Sequence, residues 1–223
     1  HGRGGLSLMG GIATKKMDEK SMKRHLCGLF LVLCIIGLVV SPSARAGLDG
    51  ADAETFIAAL ADKAVRALTQ EDAPRPEKIR RFRDLLHEHF DIQRIGIWVL
   101  GRYWPVATDV EKREYLELFE QLIITTYIDR FSTYSGETLT VAGATVKGDE
   151  AVVSSRLNRL SGEPINVEWR VQERSGNLRI IDVSVEGISM GLTQRSEFAS
   201  VVRNKGGQVS GLLEELRKHR LSE

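Results

Sequence analysis

The hydrophobic period of this chain changes twice along its length, and the order of those changes restricts the fold more than any other feature. Across residues 52–69 the apolar positions Phe56, Leu60, Ala64, Val65 and Leu68 follow the spacing of one helix face. The run Glu71-Asp72-Ala73-Pro74-Arg75-Pro76 interrupts it. A second helical stretch covers 77–90, with Ile79, Phe82, Leu85 and Leu86 on one side. Asp91 stands where it can cap a short third helix through Ile92, Ile95, Trp98 and Val99, with Gly101 and Pro105 to end it. Thr108-Asp109-Val110-Glu111 has the form of a capping box, so a long helix is expected from there to about Tyr134. Its apolar set is Tyr115, Leu118, Phe119, Leu122, Ile123, Thr126, Tyr127 and Phe131, with Leu116, Ile124 and Ile128 beside them. That stripe is wider than one packed face needs, which places the helix between two apolar surfaces.

The period then becomes two. Residues 138–146 and 151–160 read as strands, and Ile165, Val167, Trp169 and Val171 alternate with Asn166, Glu168, Arg170 and Gln172. The turn Ser161-Gly162-Glu163-Pro164 precedes that third strand and Ser175-Gly176-Asn177 follows it, with a last strand over 178–185. Short turns of this kind join antiparallel neighbours. Helical spacing returns over 193–204 and 208–219, divided by Gly206-Gly207. The expected fold is α+β: a small antiparallel sheet of about four strands covered by helices.

Ahead of this body, Lys23 and Arg24 lead into the apolar residues 26–40, followed by Ser41, Pro42 and Ser43 and then Ala44-Arg45-Ala46. A basic start, an apolar run of fifteen residues and an A-x-A site form an export signal. The run is short of the about 20 apolar residues that span a bilayer. Cleavage is expected near Gly47; an uncleaved N-terminal anchor is the alternative. Leu26 precedes Cys27 and Leu33 precedes Cys34, so neither cysteine sits in a lipidation site. Residues 1–21 are polar and glycine-rich and are expected to be a non-native or disordered extension, with the natural start at Met22.

Removing residues 1–46 changes the chemistry open to the chain. Both cysteines go with them, which excludes disulfides, a thiol nucleophile and Cys-ligated zinc. Seven of the 31 Lys/Arg and two of the 30 Asp/Glu also go, leaving 24 against 28 and a net charge of −4. An acidic chain gives no footing for nucleic-acid binding.

Gly187-Ile188-Ser189-Met190-Gly191 matches the G-x-S-x-G nucleophile elbow, with Ser189 as nucleophile of an exported esterase. The elbow requires an acid and then a histidine downstream; no Asp follows, and His219 lies almost at the end. The plain reading is a glycine-bounded turn into a helix. His87 and His89 are two apart on a helix and point to different faces, so they are expected as exposed histidines rather than a zinc pair. Asp182, in the middle of an apolar strand, is either a buried acid, an arginine partner or a solvent-facing residue. No P-loop, G-x-G-x-x-G or H-E-x-x-H is present. No catalytic or metal-ligating set results, and the chain is not expected to be an enzyme or to need a cofactor.

Leu100-Gly101-Arg102-Tyr103-Trp104 before a capped helix, Phe119 through Thr126-Tyr127 and on to Tyr134-Ser135-Gly136, Ile181-Asp182-Val183-Ser184-Val185-Glu186-Gly187-Ile188-Ser189, and Arg195-Ser196-Glu197-Phe198 occur in that order. Together they resemble the MlaC family of periplasmic phospholipid carriers, also called toluene-tolerance auxiliary proteins, over roughly residues 56–216. The resemblance implies that 47–223 is a single lipid-binding domain with a cavity between sheet and helices. It implies a monomeric shuttle in the periplasm of a Gram-negative bacterium, exchanging phospholipid between an outer-membrane lipoprotein complex and an inner-membrane ABC transporter to maintain outer-membrane asymmetry. The cargo is a lipid with acyl chains; a hopanoid is an alternative. Phe119, Ile123, Tyr127, Ile165, Val167, Trp169, Val185 and Ile188 are the candidate cavity lining, each equally suited to ordinary core packing.

Overall fold

Asp49 accepts a hydrogen bond from the backbone N–H of Ala51 at 3.1 Å and so caps the first helix, α1 (Gly50–Leu68). The structure, a computed structural model, describes residues 48–69, 73–131, 134 and 136–219. The expected extension 1–21 and export segment 22–46 lie outside the described residues. Proline opens the second helix, α2 (Arg75–His89), where its missing N–H costs nothing. Asp91 caps α3 (Ile92–Leu100) as expected, its carboxylate accepting from Arg94 N at 3.3 Å. A 3-10 turn, Gly101–Tyr103, leads towards the long helix α4 (Asp109–Phe131). The capping box is formed in full: Thr108 N–H donates to Glu111 at 2.8 Å, and Glu111 N–H donates to the Thr108 hydroxyl oxygen at 3.2 Å.

Five strands follow in a meander, paired antiparallel in chain order: β1 (Thr138–Lys147), β2 (Glu150–Asn158), β3 (Ile165–Arg174), β4 (Asn177–Val185) and β5 (Ile188–Ser189). The sheet therefore has one strand more than expected. The fifth arises because Glu186 and Gly187 both take positive φ, 50° and 77°, and close a two-residue turn that pairs Ile188 with Val185. Ser175 and Gly176 do the same between β3 and β4. Two further helices, α5 (Met190–Asn204) and α6 (Val209–Arg217), complete the α+β fold. Helix α5 begins three residues earlier than its apolar spacing indicated, because Ser189 caps it through Leu192 N at 3.0 Å.

One face of the sheet is apolar. Across the strands it carries Val146, Ala151, Val171 and Ile180 at one end, and Leu139, Leu157, Ile165, Val167 and Val185 at the other. Helix α1 lies over β1 and β2, and Gly50 brings its first turn against Ala144 and Val146. Helices α2, α3 and α5 pack against β4, and α4 makes its main contacts with α2, α3 and α6 rather than with any strand. Among the described residues, no helix is long and apolar enough to cross a membrane.

Candidate lipid site

The long helix changes its buried face halfway along. In its first half Tyr115, Leu118 and Phe119 are buried. Tyr115 donates to the carbonyl of Gly96 at 2.9 Å, and burial raises its hydroxyl pKa well above the ordinary value. Phe119 stacks on Tyr115 with centroids 5.8 Å apart and meets Phe198 edge-on at 6.3 Å. Glycine at position 96 permits this: a Cβ there would stand 2.9 Å from Leu116 and 3.0 Å from Phe119. One and two turns further along α4, Ile123 is half-buried and Tyr127 is 36% exposed. Ile124 and Ile128, on another side of the same turns, are fully buried.

The inner strands of the sheet show a similar gradient, although the edge residue Val146 is exposed and Val167 is buried. At the end carrying the β1–β2 and β3–β4 turns, Ala151, Val171 and Ile180 have no exposure. At the other end Leu157, Ile165 and Val185 are half-buried. Trp169 is half-buried too, its indole N–H donating to Ser155 at 2.9 Å, while the Ser155 hydroxyl donates to the carbonyl of Val167 at 3.0 Å. Those bonds let two polar groups sit on an apolar face without penalty.

The eight candidate residues therefore occupy three environments. Ile123, Ile165, Trp169 and Val185 are each half-buried, and Tyr127 is more exposed than any of them. Phe119, 2% exposed, is packed core, whereas Val167 is buried but stands outside the contiguous core. Ile188 is 59% exposed, on the two-residue edge strand β5 that the turn at Glu186-Gly187 creates. Leu122, Leu139, Val141, Leu157 and Val183 are also half-buried. For the four strand residues the signal in the sequence was the alternation with Thr138, Thr140, Asn158 and Ser184.

The polar residues singled out earlier are structural. Asp182 is a buried acid, 6% exposed, accepting from Ser189 Oγ at 2.6 Å, Gly191 N at 3.1 Å and Val183 N at 2.9 Å. It pins the turn that leads into α5. The Ser189 hydroxyl is thereby used twice, donating to Asp182 and accepting from Leu192 N. A nucleophilic serine donates to a base; this one donates to a carboxylate already satisfied by two backbone N–H groups. His87 is exposed and lies 2.8 Å from Glu120. The expectation of a second exposed histidine is corrected by the structure: His89 closes α2 and is buried, its ring 5.5 Å from that of Phe56. Its face of α2 turns inward where the chain crosses to β4, and Phe90 bridges to Ile180. Among the described residues, no group of three or more His, Cys, Asp or Glu is arranged to hold a metal.

A family model described as MlaC protein matches residues 58–218. Over 112 residues the chain is 25% identical to the intermembrane phospholipid transport system binding protein MlaC of Haemophilus influenzae, covering 48% of this chain and 52% of that protein. The match thus spans about half the length of that relative. Among solved structures, the phospholipid-binding protein from Ralstonia solanacearum in complex with a phospholipid superposes with a TM-score of 0.66 at 22% identity, over 75% of this chain and 96% of that one. That likeness is one of fold.

Proposed function

The chain belongs to the MlaC family, and on that footing we propose that it is a carrier of phospholipid, holding the acyl tails against the half-buried apolar surface between α4 and the sheet. The observation that carries this reading is the stand-off of α4. Ile123 of α4 and Leu157, Ile165 and Val185 on the apolar face of the sheet are left half-buried, while α4 packs mainly on other helices. Residues 47–223 act as one lipid-binding domain.

The thermodynamics fit a carrier. Each methylene moved into water costs about 0.8 kcal/mol, so two tails of about 30 methylenes face a barrier of roughly 20 kcal/mol or more. A body that covers the tails lowers that barrier, and handover requires only competing sites of similar affinity. The names of the relatives support phospholipid as cargo. In the full reading the chain is exported through segment 22–46 and moves lipid across the periplasm between an outer-membrane lipoprotein complex and an inner-membrane ABC transporter. No catalysis is involved.

Ile123→Asp and Ile165→Asp place a charge on the tail surface at positions that are only half-buried, so the fold survives. Titration with a fluorescent phospholipid is expected to show binding by the parent protein and at least a tenfold loss in either variant. Undiminished binding in both variants would remove the surface between α4 and the sheet as the tail site. Competition by a hopanoid in the same titration distinguishes the two kinds of cargo.

A further inference from the structure

The face of the sheet turned away from the apolar surface carries an arginine cluster. Gln172 of β3 lies near the β1–β2 and β3–β4 turns, across from Glu150 on β2 and Arg179 on β4. It is 3% exposed, so its amide must be satisfied by the protein. Its Nε2 donates to the carboxylate of Asp149. A carboxylate accepts only, which orients the amide and sends Oε1 the other way. That oxygen accepts from two guanidinium groups, Arg94 Nη1 of α3 at 2.6 Å and Arg174 Nη2 of β3 at 2.8 Å. Arg179 stands beside them and donates to the backbone carbonyl of Glu88.

Among the described residues, none of these three arginines has a carboxylate within ion-pair distance. The acids nearby have other partners: Asp149 holds the Gln172 amide, Glu88 pairs with Lys63, and Asp91 caps the first turn of α3. Arg170, on the same face, shows the ordinary arrangement, paired with Glu150 at 2.7 Å. Two cations sharing one neutral oxygen repel each other and leave most of their five N–H donors apiece unused. The planar guanidinium fork matches the oxygens of a phosphate group, and a single phosphate between the two would turn the repulsion into attraction.

We propose that Arg94 and Arg174, oriented by the buried amide of Gln172 and flanked by Arg179, form a phosphate-binding site at the end of the sheet remote from Leu157, Ile165 and Val185. The phosphate reaches it either free in solution or as the headgroup of a lipid in a bilayer, and the two sources are separated by experiment. Protein recovered from cells is titrated with inorganic phosphate and, separately, sedimented with vesicles of phosphatidylglycerol in phosphatidylcholine. The same is done with R94Q/R174Q; both side chains are at the surface, and a thermal melt confirms the fold, with R174Q alone as the second variant. The expected result is binding to at least one probe that weakens about tenfold or more in the double variant. Binding to inorganic phosphate assigns a soluble ligand, and binding to vesicles alone assigns a headgroup. Absence of binding to both probes, or binding indifferent to the substitutions, overturns the proposal. Co-purifying lipid is expected at the same level in parent and double variant, so failure of the phosphate site and failure of the carrier reading remain distinguishable.

Discussion

His89 is the residue most exposed to a change of pH. It is 8% exposed, its Nδ1 is buried without a hydrogen-bond partner, and Phe56 covers its ring. Desolvation lowers its pKa below the ordinary 6.5; Glu88 opposes that, and Lys63 and Arg179 add to it. The unfolded chain takes up the proton as pH falls through about 6.5, while the folded chain resists. Stability from this group is therefore complete above that pH and declines as pH drops below it, until the folded form also binds the proton. Thermal melts from pH 7.5 to 5 are expected to show a falling midpoint, with a smaller fall in His89→Phe. Equal slopes in the two proteins would contradict the assignment. Ser189 makes the complementary case. Ser189→Ala removes a helix cap and one donor to Asp182, at a cost of about 1–2 kcal/mol. Retained lipid is expected to be unchanged, since the hydroxyl serves structure; loss of function without loss of stability would revive the nucleophile.

At the scale of elements, α3 and α5 meet through a glycine. A Cβ on Gly191 would lie 2.3 Å from Cζ3 of Trp98 and 3.0 Å from Asp182 Oδ1. Gly191→Ala is expected to destabilise by about 1–3 kcal/mol through this overpacking, read as a lower denaturation midpoint; an unchanged midpoint would mean that the two helices separate freely. Periodicity revealed the helices and the first four strands because each buries a face against a neighbour, and the capping box at Thr108 marked where α4 begins. It missed β5, which two residues and a turn with positive φ create, a feature carried by backbone conformation rather than by an apolar pattern. It also could not separate Phe119 from Ile123. Both are apolar and lie one turn apart, and only the reach of α3, allowed by Gly96, decides that one is sealed and the other half-open. His89 escaped for a related reason: one polar residue near a helix end carries no period, and its burial depends on where the chain turns next.

The whole molecule is asymmetric in how it covers its apolar surface. The inner strands of the sheet are sealed where Ala151, Val171 and Ile180 lie and half-open towards Leu157, Ile165 and Val185, and on α4 Ile123 is half-buried and Tyr127 exposed. A fully closed core would cover these apolar side chains on both the helix and the sheet. Native mass spectrometry of the protein recovered from cells measures directly whether that surface holds a lipid. The account predicts an adduct with the mass of a phospholipid, present in the parent protein and absent from Ile123→Asp. A parent protein that appears only at its own polypeptide mass, with no lipid bound under gentle conditions, would contradict it.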